Sequence, residues 1–334
     1  MTPPSDTLNG HPPVRDYFRR LLRPLWLRPE RALWDAHELF AVRDLLGDHI
    51  ERPSLEFGCT DGVNTFVLMG GEFGMRFDDY RQVSWSLDSH TRSTGGDDYF
   101  DSFSGGEDAP VDIVTRPEEG FDVGLSWKET HVRKADRLDV YERTVRLDLD
   151  EPLLPFESGS FATIWAPNLF WVAQDRLPGA LEELRRILDR GGRIVTIFPD
   201  AIQGEHMLYR FAGRADAQWM ADLDRGTHDN FVRHARSLEA WTAYLEGVGL
   251  TIGRRRAFLP SIVGQVYDIG LRPMFPVFMN IYETLLGYSE DDLLEVKEHW
   301  IETAYDFLAP LCDAEWMSAL NTEMLWHALE LHVA

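Results

Sequence analysis

An α/β fold, with a mostly parallel sheet covered by helices on both faces, is predicted by two observations and bounded by a third. Apolar, strand-like runs alternate with helix-like segments through the middle of the chain, the order that gives parallel strands joined by helical crossovers. The first run ends in a glycine turn that opens straight into a helical pattern: Ser-Leu-Glu-Phe-Gly-Cys-Thr-Asp-Gly over residues 54–62, then Val-Asn-Thr-Phe-Val-Leu. The chain has 334 residues, 44% apolar and 27% charged, an ordinary globular composition long enough for one large domain or two smaller ones.

Residues 1–13, rich in Pro and polar groups, read as a mobile tail. Residues 14–50 read as helices broken near Pro24 and Pro29, since Tyr17, Phe18, Leu21 and Leu22, then Leu33, Leu39, Phe40 and Leu45, recur at helical intervals. Strands are predicted at about 54–58, 121–126, 143–147, 161–166, 191–198, 250–258 and 261–268, and helices at about 62–70, 129–138, 176–188 and 237–247. Residues 72–120 form an insertion. Its stretches 83–87 and 111–114 alternate like two strands of a hairpin, with an acidic tip around Asp97, Asp98 and Asp101. That tip reads as a solvated loop rather than a metal site. Residues 271–334 read as wholly helical, with Leu293, Leu294, Val296, Trp300, Ala304, Phe307 and Leu308 along one face. Three roles are open to this appendage: a packing cap (the default), a homodimer surface, or a wall of a substrate chamber. The division is thus 1–50 tail and helices, 51–270 core, and 271–334 helical appendage.

Composition narrows the function classes. A net charge of −23 disfavours nucleic acid and anionic membrane surfaces; of the two arginine clusters, 19–23 and 254–256, the second lies in an expected strand, so its side chains alternate between faces and form no stripe. No apolar run approaches the roughly 20 residues of a membrane span, and the first residues lack a signal-peptide pattern. Two cysteines, Cys59 and Cys312, make no disulfide framework. A cytoplasmic protein acting on a small molecule is the expectation.

Downstream of the glycine turn stand Asp148-Leu149, the segment Leu-Pro-Phe-Glu-Ser-Gly-Ser-Phe over 154–161, Asn168-Leu169, and Arg-Arg-Ile-Leu-Asp-Arg-Gly-Gly over 185–192. In this order and spacing, over roughly residues 54–260, the chain resembles the class I S-adenosylmethionine-dependent methyltransferases of small-molecule type. The resemblance implies a Rossmann-like three-layer αβα sandwich whose seven-stranded sheet has an antiparallel last strand. It also implies N-terminal helices that pack over the cofactor loop as part of a lid, although a plain packing pair is equally open from the residues alone.

S-adenosyl-L-methionine is the cofactor the resemblance implies. Gly58, Cys59, Thr60 and Gly62 would run beneath its methionine portion, with Thr60 standing where relatives usually carry glycine. Glu56 would take the cationic amino group through a charge-assisted hydrogen bond. Ser126 occupies the position of the acid that grips the ribose diol, a weaker holder that Glu129 could supplement. Trp127 would pack on adenine or belong to the core, Asp148 and Leu149 would meet the adenine edge (Asp148 also reads as a turn residue before Pro152), and Asn168 would sit near the reacting methyl group.

Methyl transfer relies chiefly on alignment and exclusion of water. Relatives often carry a histidine just after the Asn168 position, but this chain has Phe170 and Trp171 there. Glu205 and His206 are therefore the nearest base candidates, and a capping role for His206 stays open. Tyr17, Trp171 and Tyr209 are the candidate substrate contacts. The other reading is a protein that binds the cofactor without transferring its methyl group. A dinucleotide dehydrogenase is disfavoured because the turn departs from G-x-G-x-x-G.

Overall fold

The structure, a computed structural model, describes residues 13–79, 110–147, 153–167, 176–211, 232–313 and 322–334, together with 169, 172, 214, 216, 218, 316, 317 and 320. In chain order the main elements are α1 (Val14–Leu21), α2 (Pro29–Leu46), β1 (Ser54–Phe57), α3 (Val63–Leu68), β2 (Glu72–Phe73), β3 (Ile113–Thr115), β4 (Phe121–Ser126), α4 (Glu129–Asp136), β5 (Tyr141–Arg146) and β6 (Phe161–Ala166). They continue with α5 (Leu177–Ile187), β7 (Leu188–Pro199), α6 (Gln203–His206), α7 (Leu238–Gly247), β8 (Leu250–Pro260), α8 (Ser261–Gln265), α9 (Phe275–Leu285), α10 (Glu290–Leu308) and β9 (Met324–Val333).

Seven strands form one sheet in the order β5-β4-β1-β6-β7-β9-β8. Strands β5, β4, β1, β6 and β7 pair in parallel, whereas β9 runs antiparallel to both β7 and β8. This is the Rossmann-like sheet expected, with its antiparallel final strand. The chain lays β1, moves outward to β4 and β5, then returns to place β6 on the other side of β1. The carboxyl ends of β1, β4 and β6 therefore flank the point where the winding reverses, which is where open parallel sheets leave a crevice for ligands.

Alternation along the strands separates two cores. Ile164, Ile194 and Phe198 face α5 and α7 in one apolar cluster, while Trp165, Val195 and Ile197 face α1, α2 and α3 in the other. Helix α2 is buried on nearly every side. A helix that is covered all round lies inside a fold rather than on it. Its outer cover comes from the C-terminal region: Trp34 meets Tyr267 and Trp326 with ring centroids 4.9 and 5.8 Å apart, and His37 Nε2 lies 3.0 Å from the Leu311 carbonyl. Arg254 and Arg256, read as part of a scattered basic cluster, pair with Asp44 at 3.6 and 3.4 Å and tie β8 to α2.

Two expectations at the C-terminal end are corrected. The strand expected over 261–268 is helix α8 continuing into a π-helical turn, Val266–Leu271. The segment read as helical throughout supplies β9, which inserts between β7 and β8. Its burial explains the misreading: Leu325 to Leu331 is buried on both faces, which erases the period-two alternation that marks a half-exposed strand. In the insertion, β2 and β3 form a short antiparallel pair. The expected strand at 83–87 and the acidic tip at Asp97, Asp98 and Asp101 lie outside the described residues. No described helix is long and apolar enough to cross a membrane, and no group of three His, Cys, Asp or Glu among the described residues could hold a metal ion.

Candidate functional site

The turn after β1 is built by left-handed backbone. Gly58, Thr60 and Gly62 have φ of 87°, 47° and 80°, and the Gly58 and Cys59 amides both donate to the Leu125 carbonyl of β4, at 2.9 and 2.7 Å. The turn is thereby pinned over the carboxyl ends of β1 and β4. A β-branched residue in this region of φ is strained by about 1–3 kcal/mol, so Thr60 is held there by its surroundings rather than by preference. Gly62 meets a different limit. A Cβ there would lie 3.3 Å from Ala135 and Leu138, so α4 packs tightly on the loop. Asp61, one residue before the Gly62 N-cap of α3, accepts the Val63 amide at 3.1 Å. Cys59 is buried, and its thiol is pushed up well above its ordinary value by desolvation and then by Glu56 and Asp61, so it is an inert packing thiol.

Glu56 points from β1 into the layer between sheet and helices. Its Oε2 accepts from the Thr65 hydroxyl on α3 and from the Tyr141 hydroxyl on β5, each at 2.7 Å. Gly124 permits the second bond, because a Cβ there would come within 2.9 Å of the Tyr141 ring that crosses it. Burial pushes the Glu56 carboxyl up to about 7, against the lowering effect of the two hydroxyls. The head group predicted to hold a cation is thus partly neutralised within the fold.

Ser126 ends β4. It is fully buried, and its Oγ has no hydrogen-bond partner among the described residues. Buried hydroxyls are usually satisfied, and Ser126 shares this state with the Tyr17 and Thr163 hydroxyls; of these, Ser126 stands at the carboxyl end of β4. The Leu147 amide donates to the Ser126 carbonyl at 2.7 Å, which brings the chain leading to residue 148 alongside. Trp127 is half-buried and Glu129 is exposed in the first turn of α4. Asp148, Leu149, Asn168 and Trp171 lie outside the described residues, as does the side chain of Tyr209.

The remaining candidates do not gather at this edge. Tyr17 is buried in the packing of α1, with its hydroxyl pushed up to about 12 chiefly by burial, and it belongs to the core. His206 is engaged on both ring nitrogens: Gln265 Nε2 lies 3.1 Å from Nδ1, and Glu323 Oε2 lies 2.8 Å from Nε2. With the amide donating to Nδ1, the Nε2 hydrogen goes to Glu323, and neither nitrogen is open to take a proton from a third group. Glu205 is exposed, and its backbone carbonyl accepts from Arg210.

The sequence reading missed two groups on α2. Asp35 is buried, pairs with Arg31 at 2.8 Å and accepts the Asn64 amide of α3 at 3.1 Å. Glu38 follows one turn later, also buried, with Asp35 and Glu56 among its electrostatic neighbours. Asp35 and Glu38 stand among Glu30, Arg31, His37, Arg43 and Asp44 on α2, so their spacing of i and i+3 gave no distinct signal.

No protein-family model matches the chain, and no curated protein sequence aligns with it. Solved structures similar to it include the [4+2]-cyclase SpnF, at 13% identity and a TM-score of 0.43, covering 96% of this chain and 97% of that one. Another is geranyl diphosphate C-methyltransferase from Streptomyces coelicolor A3(2), at 13% and 0.40, covering 93% and 84%. A third is a SAM-dependent methyltransferase from Thiobacillus denitrificans, in complex with S-adenosyl-L-homocysteine, at 12% and 0.38, covering 84% of each chain. Many of the high-probability structural neighbours are SAM-dependent methyltransferases.

Proposed function

We propose that the protein binds S-adenosyl-L-methionine at the carboxyl edge of β1 and β4 and moves its methyl group to a small-molecule acceptor. The observation that carries this reading is the pairing of a left-handed glycine turn with the orphan hydroxyl of Ser126 on the next strand. The turn lets backbone approach an amino-acid moiety closely, and the hydroxyl offers a hydrogen bond to a ribose. The cofactor, when bound, supplies a methyl group already activated on a sulfonium. In this assignment Gly58, Cys59, Thr60 and Gly62 form the floor, Glu56 faces the amino end, Ser126 holds the ribose and Trp127 flanks the adenine. Asp148 and Leu149 serve the adenine edge, while Asn168 and Trp171 lie on the acceptor side.

Isothermal calorimetry with S-adenosylhomocysteine tests the binding step, and transfer of labelled methyl from S-adenosylmethionine into a small-molecule extract tests the chemistry. Ser126→Ala is expected to weaken S-adenosylhomocysteine binding about five- to tenfold, the loss of one neutral hydrogen bond. The same variant should leave the unfolding midpoint unchanged or slightly raised, because no described residue bonds that hydroxyl. Undiminished affinity would remove Ser126 from the ribose position.

A second reading, a cofactor-binding protein without transfer, is favoured by one observation: both nitrogens of His206 are already engaged. Tight binding with no label transferred to any acceptor would select it. For the transferring enzyme, proton removal by His206 requires Gln265 to let go of Nδ1, so alignment rather than base catalysis is the expected source of rate.

A further inference from the structure

Helix α4 stands against the glycine turn on few contacts of its own. A Cβ on Gly62 would lie 3.3 Å from both Ala135 and Leu138, so the turn and this helix share one boundary. Only His131 and Ala135 of its eight residues are buried, and its N-cap, Lys128, makes no side-chain cap. A helix of this length is marginal alone, so its place is set by what holds it from outside.

The two ends of the 72–120 insertion hold it. They are joined to each other, since Glu72 pairs with Thr115 and the Gly74 amide donates to the Asp112 carbonyl at 2.8 Å. From the incoming end, Asp79 forms a largely buried ion pair with Lys134 at 3.6 Å. From the outgoing end, Arg116 donates to the Leu138 carbonyl at 3.3 Å and to Asp139 at 2.8 Å. These contacts grip α4 and its end beside the two residues that meet Gly62. A small cavity bordered by Asp61, Val63, Phe77, Asp79, Lys134 and Leu138 separates the insertion from the turn, so polar contacts rather than close packing fix the spacing there. The incoming end is itself anchored. The Phe77 carbonyl accepts from the buried Lys297 of α10 at 2.6 Å, Asp78 accepts the Trp26 indole N–H at 2.9 Å, and the Asp79 amide donates to the Pro24 carbonyl at 3.3 Å.

We propose that the ends of the insertion brace α4 against the glycine turn, with Asp79 as a positioning residue that acts on cofactor affinity through Lys134. This rests on the reading of the glycine turn given above. Asp79 works by fixing where Ala135 and Leu138 stand, and thereby where Gly62 and the loop floor stand. Lys297 gives α10 a part in the same device, as the anchor of the segment that carries Asp79.

The brace has its own pH signature. Burial pushes the Asp79 carboxyl up to about 7, against the lowering effect of Lys134; Asp61 of the turn and Asp78 raise it further, and Arg137 of α4 borders the same cavity. Ionised Asp79 pairs with Lys134 by charge and protonated Asp79 does not, so the brace tightens as pH rises through about 7.

Calorimetry with S-adenosylhomocysteine on the parent, Asp79→Asn, Lys134→Met and the double variant tests this, since asparagine copies the protonated acid. Asp79→Asn is expected to bind about three- to thirtyfold more weakly than the parent at pH 8.5, the range for a residue that acts on a site through a neighbour. At pH 6 the two are expected to agree within about twofold. Lys134→Met should lose a similar amount at pH 8.5 and carries the same comparison if Asp79→Asn does not fold. The double variant should bind no more weakly than the weaker single variant, because the pair acts as one unit. Parent-like affinity of the single variants at pH 8.5 would overturn the brace. Losses that add in the double variant, or that are equal at the two pH values, would overturn it as well. No binding by the parent would instead sink the cofactor reading itself.

Discussion

Replacing Gly58 by valine is expected to abolish S-adenosylhomocysteine binding, a loss of at least about 100-fold, while the fold persists. Gly58 has φ of 87°, and its amide donates to the Leu125 carbonyl. Valine carries a strain of roughly 1–3 kcal/mol in this region of φ, and it relaxes by turning the peptide. That rotation moves the loop floor, and its branched side chain fills the space over which backbone must meet the ligand. Strain and occlusion act together, so the effect on binding exceeds the effect on stability. Circular dichroism and calorimetry on the same preparation separate the two: retained secondary structure with no binding heat is the expected outcome. Parent-like affinity in this variant would remove the glycine turn from the cofactor site.

The sheet was legible wherever local pattern and tertiary role agree. Strands β1, β4, β6 and β7 are bounded by turn residues and followed by amphipathic helices, so alternation placed them within a few residues. Two elements failed for opposite reasons. The run Ser-Ile-Val-Gly-Gln-Val-Tyr-Asp at 261–268 is rich in β-branched residues, yet it folds as helix because Phe258 and Pro260 already complete the pairing of β8 with β9. Packing of Val263 and Tyr267 against the α2 side then outweighs intrinsic preference. In β9, apolar residues on both faces satisfy helical and extended patterns equally, and only the vacancy between β7 and β8 decides between them.

The site was legible where chemistry is carried by backbone and not where it is carried by burial. Left-handed positions announce themselves as glycines, and Gly58 and Gly62 were read directly. Thr60 was read as a departure, and its φ of 47° shows the strain behind it. The engagement of both His206 nitrogens depends on residues 59 and 117 positions away. No local spacing encodes those contacts. Tyr17, read as a candidate substrate contact, lies in the core cluster, and an aromatic residue at helical spacing gives the same pattern in either place.

The pH dependence of stability tests the buried carboxyls Glu38 and Glu56 independently of any ligand. Glu38 and Glu56 have folded-state values raised to about 8 and about 7 from an ordinary 4.5. A raised carboxyl means that the folded chain keeps a proton the unfolded chain releases above about pH 4.5. The contribution to stability is therefore complete below that pH and is lost as pH rises toward 7–8, by about 1.4 kcal/mol per pH unit for each group. Glu38→Gln removes one of the two, since glutamine carries no ionisable proton and keeps the shape of the neutral acid. Urea unfolding at about pH 5.5 and 7.5 should show the variant gaining on the parent by about 2 kcal/mol between the two conditions. Repulsion from the net charge of −23 acts on both chains alike and cancels in the difference. Parallel pH profiles would mean that Glu38 is already ionised in the folded protein, with the nearby Arg31 charge outweighing burial and Asp35.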